Sequence, residues 1–267
     1  MPASEPSREQ DRERLVTAVR DAGEIALKFF RGTFKSWTKG QGDSPVSEAD
    51  IAINDLLHQR LPAAGDGWLS EESENDPLRL EARRVWVVDP IDGTRAYIAG
   101  REDWSISVAL VEAGRPVLGA LFAPAAGELF LAESRAGATC NGAPIRVSAG
   151  TGLDDARVAG PKRLLEWAAG RHPRIVAMPR VHSLALRLVR VAQGQFDGAI
   201  AGGNAHDWDL AAADLLVHEA GGLVTTLDGK ALTYNRPEPI HNILVAAGRD
   251  RHAALAELMR THANQPA

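Results

Sequence analysis

The chain has 267 residues, 45% apolar and 24% charged, a composition that suits a globular protein with enough sequence to bury a large core. Thirty Lys and Arg against 35 Asp and Glu leave a formal charge of −5, which excludes the basic field that holds a nucleic-acid polymer or an acidic membrane. The single cysteine, Cys140, excludes an intrachain disulfide and a cysteine metal cluster, and no run approaches the roughly 20 apolar residues of a membrane span. A polar start without an apolar signal core, together with the lone thiol, predicts a cytoplasmic protein.

Leu15, Val19, Ala22, Ala26 and Phe29 recur at steps of three and four, predicting an amphipathic helix after a ragged terminus. Residues 39–45, KGQGDSP, read as a glycine-punctuated loop. A second helix follows, with Ser47 as N-cap, Asp50 in the capping-box position and Ile53, Leu56, Leu57 and Leu61 on one face. WLS at 68–70 is a short strand ahead of Glu71 and Glu72. From Val85 the period shortens to VWVV, WSISVALV, PVLGALFAP, GELFLAES and, after Asn141-Gly142, APIRVS, predicted as neighbouring strands of a largely antiparallel sheet. Beyond 149–155 strand and helix patterns alternate, as in an α/β unit. This change of texture predicts a boundary near residue 150, with an N-terminal α+β part over 1–150 and a C-terminal α/β part over 151–267.

The stretch VWVVDPIDGT, residues 85–94, holds more carboxylate than a turn needs. A buried strand over 85–88 sets Asp89 at its carboxyl end, where α/β folds place ligands. Pro90 stops the strand, Gly93 admits a backbone other residues resist, and Thr94 opens a helix, so both aspartates converge on one rim. Two anions about 4 Å apart repel by roughly 4 kcal/mol at an effective dielectric near 20. A hard divalent cation removes that cost, and oxygen-only ligands favour Mg2+, which keeps positions for water and phosphate. The competing reading is an Asp-Gly turn with Asp92 as a helix cap. Glu71 and Glu72 form a second acidic junction, otherwise a solvated loop. Asp207 and Asp209, on either side of Trp208 ahead of an apolar helix, form a third, and either also suits an N-cap. Trp104 and Trp208 suit core filling better than base stacking, an all-oxygen site does not need His206, and Cys140 has no base beside it in the sequence.

Taken together, WVVDPIDGT and WDLAAADLLVHEAGG, with SPVSEAD and SEES ahead of them and NGAPIRVS between, resemble the signature segments of the inositol monophosphatase superfamily over roughly residues 12–255. The resemblance implies a mixed α/β, layered αβαβα sandwich and phosphomonoester hydrolysis by water activated at two or three Mg2+ ions, with sensitivity to Li+. It implies Glu71, Asp89, the Ile91 carbonyl, Asp92 and Asp209 as metal ligands. It implies Asp50 and Thr94 as the pair that orients and deprotonates the attacking water, with Glu71 counted beside them as catalytic, and the Gly93 and Thr94 amides as the phosphate cradle. For Asp50 the capping box is a competing role. Ala213 replaces the glycine usual in the family's WDxAAG, and His182-Ser183 stands where many relatives have Gly-Ser.

KGQGDSPVSEAD and GREDWSISVALV look most like bacterial 3'(2'),5'-bisphosphate nucleotidases, which implies removal of the 3'-phosphate from adenosine 3',5'-bisphosphate during sulfur assimilation. Inositol 1-phosphate, histidinol phosphate and a sugar phosphate are the alternative substrates. Lys39, Arg180 and His182 are candidates for contact with a second phosphate. Two other classes compete: a haloacid-dehalogenase-type phosphatase, whose aspartates stand i, i+2 rather than i, i+3, and a non-enzymatic cation-binding interaction protein. The expected partner is a small phosphorylated metabolite, with neither a nucleic-acid polymer nor a membrane, and a homodimer is compatible with the sequence.

Overall fold

Each apolar stripe of the sequence finds a partner layer. The computed structural model describes residues 6–39 and 44–263. The first helix, α1 (Arg8–Phe29), starts earlier than its apolar period shows, because its N-terminus is set by a polar capping box in which Ser7 and Gln10 bond reciprocally. A two-stranded antiparallel ribbon, β1 (Ser36–Lys39) and β2 (Ser44–Ser47), replaces both ends of the predicted loop, whose residues 40–43 lie outside the described residues. Helix α2 (Glu48–Arg60) begins after Ser47, as its capping signal predicts.

The next elements are β3 (Gly67–Ser70), β4 (Arg84–Asp92), α3 (Thr94–Ile98), β5 (Ser105–Glu112), β6 (Arg115–Ala123), β7 (Glu128–Glu133), β8 (Gly137–Cys140) and β9 (Ala143–Pro144). The strands form a seven-stranded sheet in sequence order, antiparallel except for the β3–β4 pair. The predicted strand over 143–148 ends at Pro144: Val147 N–H instead donates to Ala220 O, and its side chain packs over Gly222 and Gly248.

The chain continues through β10 (Arg157–Ala159), α4 (Lys162–Arg171), β11 (Val176–Ala177), α5 (Leu184–Ala192), β12 (Gly198–Ala201), β13 (Ala205–His206), α6 (Asp207–Glu219), β14 (Gly222–Thr226), β15 (Ile240–His241), β16 (Leu244–Gly248) and α7 (Arg249–Ala263). Five of these strands form a mixed sheet, β11-β10-β12-β16-β14.

Strand periodicity builds the layers. In β4, Trp86 and Val88 face the core made with Leu15, Val19, Ile53 and Leu57 of α1 and α2, while Val85 and Val87 face the core made with α5 and α6. That second core continues onto Ala199, Ala201, Leu244 and Ala246 of the five-stranded sheet. The opposite face of this sheet, Val158, Ile200, Val245 and Ala247, packs on Leu164, Leu165, Leu255 and Met259 of α4 and α7. The result is an αβαβα sandwich. Helix α6 lies close enough to β6 that a Cβ on Gly119 would meet Ala212 Cα at 3.2 Å, so small residues set this spacing.

Candidate active site

The two aspartates of β4 share one side because the strand is interrupted between them. In an unbroken strand, residues three apart point to opposite faces. Here Asp89 pairs with Ser107 and Asp92 with Ser105, and the register shifts between those pairs. Pro90 has no N–H for the ladder, and Ile91 N–H turns back onto Asp89 Oδ1 at 3.0 Å. The bulge brings both carboxylates to the end of the strand.

Helix α6 supplies the third. Asp209 accepts the His206 N–H at 2.7 Å, the second half of a capping box, and its carboxylate lies with those of Asp89 and Asp92 within 4.8 Å of one another. Asp207 is directed elsewhere: fully buried, it accepts from Asn235 N–H at 2.6 Å and pairs with His241 Nε2 at 2.7 Å. Glu71 follows β3, where its N–H donates to Val88 O at 3.2 Å, and it is near enough to raise the Asp89 pKa by repulsion.

Asp50 sits at the start of α2, receiving the Ser47 N–H and Oγ–H on Oδ2 at 2.8 and 2.5 Å. Its Oδ1 lies 3.4 Å from Thr94 Oγ1, which donates to the Ile91 carbonyl at 2.9 Å. Gly93 immediately before α3 has φ +93°, and a Cβ there would meet Ser183 N at 3.1 Å and Asp103 O at 3.3 Å. Glycine is therefore required twice, by conformation and by space.

Electrostatics show what such a cluster lacks. Burial, then repulsion by Glu71, Asp92, Asp209 and Asp50, holds the Asp89 carboxyl well above the usual range. Asp209 is likewise pushed well up by burial and by Asp92. Burial raises Glu71 to about 7 and Asp50 to about 6, with Lys39 and Ser47 respectively opposing the shift. Burial also raises Asp92, against hydrogen bonds from Ser183 Oγ and Ala185 N–H, both 2.6 Å. Lys39 offsets part of the charge, but its amine is taken by Glu72 Oε2 at 2.5 Å and the Glu71 carbonyl at 2.9 Å. A cluster of buried, mutually repelling oxygen donors fits a hard divalent cation.

The remaining residues singled out in the sequence divide. His182 donates its N–H to Asp103 Oδ2 at 2.8 Å and holds its Nδ1 2.6 Å from the same atom. Arg180 is exposed on the loop after β11. Trp104 is fully buried against Phe30 and Tyr97, whereas the half-buried Trp208 stacks on His206 at 4.5 Å. Burial pushes the Cys140 thiol up, away from nucleophilic use. In the sequence Ser183 stands out only as part of His182-Ser183 in place of Gly-Ser. It is the N-cap of α5 as well as the donor to Asp92, and a serine directly ahead of the apolar run LALRLVRV was the available signal.

The inositol monophosphatase family model matches residues 7–264. The chain is 36% identical over 228 residues to an inositol-1-monophosphatase of Rhizobium meliloti, covering 80% of this chain and 85% of that protein. It is 32% identical over 262 residues to a histidinol-phosphatase of Chlorobaculum parvum, covering 90% and 99%. A 3'(2'),5'-bisphosphate nucleotidase CysQ of Aggregatibacter actinomycetemcomitans is 28% identical over 243 residues, covering 85% and 88%. Among solved structures, the extragenic suppressor protein suhB of Bartonella henselae superposes with a TM-score of 0.82 at 27% identity, over 95% of this chain and 98% of that one. The family match over nearly the whole chain, on a fold whose strand ends and helix starts gather these carboxylates, leads to one conclusion: this chain belongs to the inositol monophosphatase family.

Proposed function

We propose that this phosphatase is a Mg2+-dependent 3'(2'),5'-bisphosphate nucleotidase, removing the 3'-phosphate of adenosine 3',5'-bisphosphate in cytoplasmic sulfur assimilation. Glu71, Asp89, the Ile91 carbonyl, Asp92 and Asp209 would hold two or three ions. The observation that carries the metal-dependent chemistry is the convergence of the Asp89, Asp92 and Asp209 carboxylates within 4.8 Å, the first two buried and the third partly so. Bound ions supply Lewis acidity toward phosphoryl oxygens and lower the pKa of water.

The chain's own groups supply the rest. The Thr94 hydroxyl lies between the Ile91 carbonyl and Asp50 Oδ1, so it can take a proton from the attacking water as it passes its own to the carboxylate. Burial holds Asp50 at about 6, making it a stronger base than an ordinary carboxylate and leaving it mostly ionised at neutral pH. The Gly93 and Thr94 amides, at a helix start where N–H groups have no intrahelical acceptor, would orient the phosphoryl oxygens.

The nucleotide is favoured by the segments KGQGDSPVSEAD and GREDWSISVALV and by the nucleotidase relative. The histidinol-phosphatase and inositol-1-monophosphatase relatives keep those substrates as the second reading. Phosphate release in Mg2+ is to be compared for adenosine 3',5'-bisphosphate, inositol 1-phosphate, histidinol phosphate and fructose 1,6-bisphosphate. A hundredfold advantage in kcat/KM for the nucleotide, roughly 2.7 kcal/mol of transition-state discrimination, is the expected result. Preference for another member reassigns the substrate, and release that survives chelation of divalent ions overturns the metal assignment.

A further inference from the structure

Arg79 has only 2% of its surface exposed, although the activity proposed above gives it no task. It stands on a short 3-10 turn, Pro77–Leu80, shortly after Glu71. A guanidinium is costly to bury and persists where its donors are met. Here Nε donates to Asn75 Oδ1 at 2.7 Å, Nη1 to Asn235 Oδ1 at 2.5 Å and Nη2 to the Arg236 carbonyl at 3.0 Å. Asn235 Nδ2 returns a bond to the Arg79 carbonyl at 3.1 Å.

Asn235 carries this contact on to α6. Its backbone N–H donates to Asp207 Oδ2 at 2.6 Å, and Asp207 Oδ1 lies 2.7 Å from His241 Nε2. The Asp207 N–H in turn donates to the Pro239 carbonyl at 3.0 Å, and Ala205 and His206 pair with His241 and Ile240. The chain entering α6 is thus tied to residues 235–241 immediately ahead of Asp209. Glu71 is fixed within the other half of the molecule: its N–H meets Val88 O, and the next N–H meets Ser70 Oγ, which donates to Asn54 Oδ1 at 2.7 Å. Glu71 and Asp209 approach across this joint, closely enough for the charge of Glu71 to raise the Asp209 pKa.

We propose that Arg79 is a positioning residue for metal binding: its guanidinium joins the loop after Glu71 to the segment that orients Asp207, and so sets Asp209 opposite Glu71. All three of its nitrogens are engaged by protein oxygens, so it acts through Asn235 and Asp207 rather than on an ion or a substrate. The inference rests on the assignment of Glu71 and Asp209 as metal ligands, and the test separates the two.

The experiment measures Mg2+ affinity of the full chain by calorimetry, beside thermal melts. Arg79→Met keeps much of the buried volume and removes the donors. Asn235 has φ +57°, which glycine adopts freely, so Asn235→Gly removes only the side-chain bonds to Arg79 and keeps the N–H on Asp207. Each variant should weaken Mg2+ binding about tenfold or more and raise the Mg2+ needed for half-maximal phosphate release by a similar factor, with kcat at saturating Mg2+ falling less than about threefold. The double variant should bind no more weakly than the weaker single one, since both break one connection. Asn235→Asp keeps an acceptor for Arg79 and should stay within about threefold of wild type. Arg84→Met is the control: this buried guanidinium pairs with Asp11 and Asp66 at the far end of β4, and its loss should lower the melting temperature without changing Mg2+ affinity. Asn235→Gly decides the question by itself if Arg79→Met does not fold. Variants that melt lower but bind Mg2+ as wild type does overturn the inference and leave the metal assignment standing. So does an Asn235→Asp as weak as Asn235→Gly, or an equal loss of affinity in Arg84→Met. Absence of Mg2+ binding by the wild-type protein overturns both.

Discussion

Asp89 illustrates how one residue can serve the site and strain the fold. It is buried, accepts one backbone N–H from Ile91, and is surrounded by four other carboxylates that raise its pKa. Asp89→Asn keeps an oxygen for that N–H and removes the repulsion. In metal-free protein at pH 8 the variant should melt higher, by about 1 to 2 kcal/mol or roughly 2 to 8 °C, while calorimetry finds Mg2+ binding lost. Turnover should fall by at least about 10^3-fold, since both the ion and the oriented carboxylate are gone. Asp50 separates two roles on one side chain. Asp50→Asn should lower turnover by about 10^2-fold or more at saturating Mg2+ yet cost no more than about 1 kcal/mol in thermal melts. Retained turnover with reduced stability would make the bond to Ser47 its sole role.

The elements hold these groups through their ends. Asp50 and Asp209 stand in the first turns of α2 and α6, and the Ser183 cap of α5 reaches Asp92. Ser183 Oγ also accepts from Leu186 N–H at 2.9 Å and lies 2.9 Å from Ser105 Oγ, so one hydroxyl ties α5 and β5 to a proposed metal ligand. Ser183→Ala should cost about 1 kcal/mol as a lost cap and weaken Mg2+ affinity roughly 10- to 100-fold, measured by titration, with Ser183→Thr recovering most of it. The spacing of α6 from the sheet is equally exacting. Gly119→Ala would press a methyl onto the Ala212 backbone and should destabilise by about 1 to 3 kcal/mol in chemical denaturation.

Across the whole molecule, the carboxylate cluster makes metal-free stability fall as pH rises. Asp50 and Glu71 titrate in the folded protein at about 6 and about 7, above the ordinary value of about 4 they regain on unfolding. The folded state therefore binds more protons between pH 4 and 7, and linkage makes stability decline through that window. Mg2+ should reverse the trend: melting temperature without metal is expected to drop from pH 5 to pH 8, and added Mg2+ to raise it most at pH 8. A metal-free melting temperature that rises over this range would contradict the repulsion seen in the site.

Much was legible before any coordinates. The helix at Ser47, the strand leading into Asp89, the largely antiparallel first sheet and the acidic junctions at Glu71, Asp89, Asp92 and Asp209 all carry local signals: capping residues, a period of two or 3.6, and a long signature segment. Other features depend on partners distant in sequence. The bulge that turns Asp89 and Asp92 to one side exists in the register with β5, and Ser183 meets Asp92 across 91 residues. By itself, then, the sequence determined the order of elements and the oxygen-rich chemistry, because both arise from neighbouring residues. Only the tertiary structure decided that Asp207 turns away to Asn235 and His241, and that, among the described residues, Arg180 forms no ion pair while Lys39 and His182 do. The direction of a side chain, and the partner that neutralises it, are set by what packs against it from elsewhere in the chain.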